Sequence, residues 1–335
     1  MSSTASPRAE ARTVLVIVAI VQFVIGGWFS WAASHAAPRD LPVLVASAPG
    51  AAQSAEQLAD RLREAAPGAY AVKTAAGAEE ADAALRDRTA YGALLPTAAG
   101  GLELRLASAA SPTVAQTLTG QAQELAGGPV LVTDVVPADA DDPHGAGLAM
   151  GFLPLLITAV IAALLFVLKV RAAGARFLGV IGFAAASGLL SSLMLTHLSG
   201  VAPGNYFVNA GIVALLELAM VSVITGLGSL VGPPGIAVGA VLMFVVGNPL
   251  SGLASAPEML PQPLGAIGQF LPAGAAATLL RTSGPFDGAG AAAPVLVLAV
   301  WALIGLGLLY ASSRRRPTPA APAATAAAPR PAAAH

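Results

Sequence analysis

The sequence predicts an α-helical polytopic membrane protein with six transmembrane helices, a re-entrant outer hairpin, and an extracytoplasmic α/β domain inserted between helices 1 and 2. Composition gives the class: 56% of the 335 residues are hydrophobic and 10% charged, against roughly 25% charged in an ordinary soluble domain. Distribution gives the count, because the apolar residues gather in runs close to the twenty or so that a bilayer core requires. The third observation is the stretch Asn248–Gly288, which is as apolar as a span yet carries Pro249, Pro257, Pro261, Pro263, Pro272 and Pro285. Proline removes a backbone donor and breaks a helix interior, and lipid offers no water to the freed carbonyls. Such backbone survives at membrane depth only when packed in protein or lining a cavity.

In chain order, residues 1–12 are a polar tail and residues 13–33 the first span, with Trp28 and Trp31 at its outer interface. A cleaved signal peptide ending near Ser34-His35-Ala36 is the competing interpretation, but the apolar run is longer than the usual h-region. Residues 34–146 form the α/β domain. Leu41–Ser47, Tyr70–Thr74 and Tyr91–Thr97 are short β-rich runs, and Leu102, Leu104 and Leu106 alternate with Glu103 and Arg105 as in a half-buried strand. Ala51–Ala66, Glu79–Arg88 and Thr113–Ala126 are helical, the last opened by Ser111 as cap and Pro112 in the first turn.

Residues 147–311 hold the other five spans: Gly147–Leu168, Phe177–Leu198, Phe207–Leu230, Ile236–Val246 after the GPPG break, and Pro294–Tyr310. The re-entrant hairpin occupies 255–283. Residues 312–335 are a Pro/Ala-rich tail with no means of burying surface, expected to be disordered.

Charge sets the expected orientation. Arg8, Arg12, Lys169, Arg171, Arg176 and Arg314–Arg316 fall on one face, Arg281 nearly alone on the other, so both termini are expected in the cytoplasm. Between 39 and 142 there are seven basic and fourteen acidic residues. An anionic domain is a poor partner for nucleic acid.

Motifs for chemistry are missing. A phosphate-cradling GxxxxGK[ST] loop needs a lysine, and Lys73 and Lys169 follow Val72 and Leu168. No serine stands in a GxSxG elbow, the four histidines lack metal-ligand spacing, and there is no cysteine. No cofactor, metal or catalytic residue is therefore expected.

The candidate residues lie in the membrane part. Glu217 is an acid in mid-span, which points to a proton, cation or substrate path; a structural hydrogen bond to Ser187, Ser191 or Thr225 accounts for it equally. His197 sits near the outer end of the third span. In the hairpin, Gln262 and Gln269 are placed to satisfy carbonyls freed at the bend. Arg281 either pairs with Glu258 or Asp287 or meets an anionic substrate. Met259, Leu260, Leu264, Ile267, Phe270 and Leu271 are expected to pack inward against spans five and six.

Two segments carry a resemblance. EEADAALRDRTAYGALLP (Glu79–Pro96) looks like a helix feeding a strand in an outer domain, and GNPLSG…PEMLPQPLGAIGQFLPAGAAATLLR (Gly247–Arg281) like a proline-bounded helix pair before a final span. With the overall plan, they resemble the membrane subunit of ABC exporters of the second type, most similar to the phage-infection-protein-like branch. The resemblance implies a homodimer or a homologous permease partner and a separate cytoplasmic ATPase, and an apolar bundle with one buried acid suggests a lipophilic or envelope-related cargo. The chain differs from that family in having twelve residues before the first span and only KVRAAGAR between the second and third, where such permeases carry elements seated on the ATPase. A non-transporting membrane receptor or scaffold with a binding outer domain is the alternative.

Overall fold

The computed structural model describes residues 6–47, 52–97, 101–202 and 204–314. The Pro/Ala-rich tail from 315 onward and the first five residues lie outside them.

Helix α1 (Pro7–Ser34) starts earlier than the apolar run because Ser6 caps it, accepting from the Ala9 amide at 3.3 Å, and Pro7 occupies the first turn. The chain then builds β1 (Leu41–Ala46), α2 (Ala52–Ala65), β2 (Tyr70–Ala75), α3 (Ala78–Arg86), β3 (Gly92–Pro96), β4 (Leu102–Leu106), α4 (Pro112–Ala126) and β5 (Leu131–Asp134). The strands form one sheet in the order β2-β1-β3-β4-β5, parallel except for the β3–β4 pair. Alternation along β1 sends Leu41, Val43 and Val45 to a core with α2 and α4, and Leu44 and Ala46 to a second core with α3. In β4 the leucines are buried, while Arg105 pairs with Asp82 at 2.8 Å and Glu103 at 3.0 Å. Ser111 caps α4 as its position suggests, accepting from Val114 at 3.2 Å.

The rest is helical: α5 (Ala146–Lys169), α6 (Ala173–Ser192, continued by a π-helical turn Leu193–Leu198), α7 (Tyr206–Val231), α8 (Pro233–Ala240, continued by a π-helical turn Val241–Val246), α9 (Leu264–Gly268), α10 (Pro272–Thr282) and α11 (Ala292–Arg314). Among the described residues, α1, α5, α6–π, α7 and α11 are the five helices long and apolar enough to cross a membrane. The protein is a helical membrane protein. Helix α7 is its axis: α5, α6, α8, α10 and α11 all pack on it, and it supplies Val213, Leu216, Met220 and Ile224 to a single apolar core.

The segment expected as the fifth span is shorter than one. Pro233–Val246 is a 14-residue apolar helix, about 21 Å long at 1.5 Å per residue, short of the ~30 Å hydrocarbon core. It returns along α7, with Gly239 against Ile224, and stops before the far end. Beyond its end the proline-broken stretch continues, with Leu253, Ala273, Ala275 and Leu279 in the same apolar core.

That stretch is two 3-10 turns (Pro249–Ser251 and Pro257–Met259), then α9 and α10. It starts beside the sheet domain, where the Thr113 hydroxyl donates to the Ala254 carbonyl at 3.1 Å. It then descends, and the Trp301 indole donates to Phe270 O at 2.7 Å. Trp301 is nine residues into α11 from Ala292, so the bend lies about 13 Å below that helix's start. Helix α10 climbs back, and the Ser283 hydroxyl reaches Asn209 Oδ1 near the start of α7 at 2.7 Å.

Of the six residues expected to pack inward, Leu260 and Leu271 are buried, Met259 packs into the sheet-domain core instead, Leu264 is half-buried, and Ile267 and Phe270 are exposed. With α9 only five residues long, one face cannot collect all six side chains.

Candidate functional site: the seam between hairpin and sheet domain

The hairpin is fixed to the sheet domain on both faces of the sheet. Ala256 and Met259 enter the core beneath α2 and α4, and Phe286, beyond α10, enters the core beneath α3. Backbone bonds from Ala37 N to Met259 O (2.8 Å) and Arg39 N to Glu258 O (2.9 Å) tie in the segment after α1. Between these attachments lies a cleft of about 740 Å³, within the usual range for small-molecule sites.

Four sequence candidates, Glu258, Gln262, Gln269 and Arg281, line this cleft together. The glutamines hold the bend. Gln262 Nε2 donates to Pro257 O at 3.0 Å while its Oε1 accepts from the Ala266 amide at 3.3 Å. Gln269 Nε2 donates to Ser251 O at 3.1 Å while its Oε1 accepts from the Thr278 hydroxyl at 2.8 Å. Gln262 thus serves broken backbone with both of its ends, and Gln269 serves it with its donor end while its oxygen holds the Thr278 hydroxyl.

Arg281 forms no ion pair with Glu258 or Asp287. Its guanidinium donates instead to Gly252 O at 3.1 Å and to Leu253 O, because the turn after Ser251 presents two carbonyls that no helix uses. Glu258 accepts from the Tyr91 hydroxyl at 2.8 Å. Burial first, then Glu258, raises the Tyr91 phenol well above its ordinary range.

Sequence reasoning missed the sheet-domain wall: Arg39, Arg88 and Tyr91. Arg88 follows α3 with φ +58°, a left-handed conformation uncommon outside glycine. This turns its side chain over the Phe286 ring at 5.3 Å, and its guanidinium donates to the Thr282 hydroxyl. Its Nε is buried with no hydrogen-bond partner, and burial lowers its pKa. A third cation, Arg39, donates to the carbonyls of His35, Ala37 and Met259, each at 3.0 Å. Nothing in LRDRTAYG distinguishes Arg88 from the solvated arginines of other helices.

Glu217 and His197 lie elsewhere. Glu217 is fully buried near the middle of α7, its carboxylate oxygens without a hydrogen-bond partner. Ser187 of α6 faces it without reaching hydrogen-bond geometry, and Thr225, one of its sequence-level partners, also has a buried unpartnered hydroxyl. His197 is exposed on the π-helical turn after α6, edge-on to Tyr206 at 5.5 Å.

A second cavity of about 300 Å³ lies beside the starts of α4 and α5 and shares Arg281 with the seam cleft. Its Asp142 is engaged in capping α5, accepting from the Gly147 and Leu148 amides at 3.0 and 2.9 Å. Among the described residues no group of three or more His, Asp or Glu side chains could hold a metal ion. No family model, curated protein or solved structure matches the chain.

Proposed function

We propose that the chain is the membrane-spanning permease subunit of an exporter, moving a lipophilic or envelope-related substrate with energy from a separate ATPase and working as a dimer or with a homologous partner. The observation that carries this is the split crossing: α8 and its π turn cover one part of the depth, and a hairpin entering from the sheet-domain side covers the rest. Discontinuous helices of this kind are where membrane transporters build substrate sites.

The orientation belongs to the same proposal. The end of the bundle opposite the sheet domain carries Arg8, Arg12, Lys169, Arg171, Arg176 and Arg314, which by charge bias makes it cytoplasmic and the domain and hairpin outer. The membrane is then the cell membrane, crossed six times, with the sheet domain inserted between crossings one and two. Cysteines placed singly at the exposed positions Ala83, Ala254 and Asp287 react with an impermeant maleimide on intact cells, while one at Arg171 reacts only after permeabilisation. If Ala254 labels but Asp287 does not, the hairpin is a full crossing and the split-crossing argument is lost.

In this proposal Glu217 titrates or binds within the transport path. Glu217→Gln keeps the shape but has no proton to release, so it ends export while the protein still folds. Unchanged export by the well-folded variant removes Glu217 from the path.

One observation favours the other class, a receptor or scaffold with a binding outer domain. The α5–α6 connection is only Val170–Ala172, and Arg176 folds back on it, donating from Nε to Val170 O at 3.1 Å and from Nη1 to the Ser229 hydroxyl of α7 at 2.7 Å. This leaves little for an ATPase to grip. Crosslinking the tagged chain in its native host and identifying what co-purifies separates the two: a nucleotide-hydrolysing partner supports the permease, and its repeated absence supports the receptor.

A further inference from the structure

The ion pairs found among the described residues, Arg63–Asp60, Arg86–Asp82, Arg105–Asp82 and Arg105–Glu103, all belong to the sheet domain away from the hairpin. The arginines of the seam cleft are held differently: Arg39, Arg88 and Arg281 donate to carbonyls and a hydroxyl. Neutral acceptors satisfy donors but cancel no charge. In the inner cleft, two guanidiniums, Arg88 and Arg281, face one carboxylate, Glu258, leaving one net positive charge. Asp40 and Asp87, with Arg39, line the rim, and both aspartates are exposed to solvent that screens them.

Two partly buried cations that share one carboxylate leave a charge uncompensated, which is costly. Here the two also repel each other, and the Nε of Arg88 has no partner at all. An oxyanion between them would supply the missing charge and accept from guanidinium forks shaped for phosphate and carboxylate. Next to the cleft's lining, the hairpin carries exposed apolar side chains. Ala266 and Gln269 line the cleft, and the residues after each, Ile267 and Phe270, stand 47% and 69% exposed at the descending edge of the hairpin.

We propose that this cleft binds an anionic amphiphile, with a phosphate or carboxylate headgroup between Arg88 and Arg281 and an acyl or alkyl chain leaving over Ile267 and Phe270. The site does not depend on transport; a receptor would use it equally well.

The test uses the full chain in an uncharged detergent, titrated with dioctanoyl phosphatidic acid, with inorganic phosphate and dioctanoylglycerol as comparators, and bound ligand counted by native mass spectrometry. The expected result is saturable one-to-one binding of the phosphatidic acid, at least about tenfold tighter than either comparator. Arg88→Gln weakens it about tenfold or more, a loss of about 1.4 kcal/mol, and Arg88→Lys weakens it less. Because Arg88 also ties down Thr282, a second pair avoids that contact: at exposed Ala266, Ala266→Glu weakens binding and Ala266→Lys does not. Equal binding of dioctanoylglycerol overturns the charge requirement, and equal binding of inorganic phosphate overturns the amphiphile. Indifference of the phosphatidic acid to both Arg88→Gln and Ala266→Glu overturns the site itself.

Discussion

Helices α1 and α7 are close in length, 28 and 26 residues, and their most apolar windows share a mean hydropathy of 2.2. Their surroundings are opposite: that window is 0% buried in α1 and 61% buried in α7. Hydropathy sorts a segment into the membrane but is blind to what lies beside it there. The packing difference comes from small and polar residues. Helix α7 has Gly226 against the Gly305 carbonyl of α11 and Ala210 and Ala214 against Gly188 of α6, the close approach that drives association where lipid is as apolar as leucine. Gly26 and Gly27 of α1 have nothing within 4 Å of a would-be Cβ. Among the described residues that helix meets the rest near its C-terminal end, where the Trp28 indole donates to Val245 O at 2.9 Å and Phe29 lies 6.3 Å from Phe244.

The contrast is sharpest at glycine. A Cβ on Gly305 would fall 1.9 Å from Ser222 Oγ and 2.6 Å from Val223 N, so Gly305→Leu forces α7 and α11 apart. A loss of about 3 kcal/mol or more is expected, at or beyond the upper end of ordinary overpacking. Gly27→Leu leaves the unfolding midpoint in detergent unchanged. If both variants melt together, α1 is packed and the comparison fails.

Trp28→Ala comes next. Losing the indole hydrogen bond and the stack on Trp31, 5.5 Å away and nearly parallel, is expected to cost about 1–2 kcal/mol. The loss shows as faster protease cleavage between α1 and β1, with the rest of the bundle unmoved. Glu217→Leu runs the other way: it removes a fully buried acid whose oxygens have no partner, so the midpoint is expected to rise by about 1 kcal/mol equivalent. A marked drop would mean that the carboxyl is held by a bond it makes in the membrane. The smallest effect is Phe23→Ala, at a side chain 81% exposed, with a change within about 0.5 kcal/mol.

What the sequence made legible depended on local patterns. Alternation at Leu102–Leu106, the Ser111-Pro112 cap and the Gly232–Gly235 break each involve neighbours a few residues apart, and each appears where expected. The amide roles of Gln262 and Gln269 were also readable, because prolines announce which carbonyls lose their donors. The facing partners were not. Tyr91 meets Glu258 and Arg88 meets Thr282 across 167 and 194 residues, and nothing near either in the chain announces the other. Met259 shows the same limit: an apolar residue in a membrane-like stretch suits a helix bundle or a sheet core equally, and here the sheet core took it.

The attachment of the hairpin on both faces of the sheet bears on the order in which the chain is made. Strands β1 to β5 leave the ribosome first, with the seats for Met259 and Phe286 still empty. Helices α5, α6, α7 and α8 must then be synthesised before those two residues exist. Two holes in the domain's apolar interior stay open for that whole interval, so the domain is completed only after α5 to α8 and the hairpin have been made. A chain that stalls before Phe286 carries an unfinished sheet domain, whatever the state of its membrane helices.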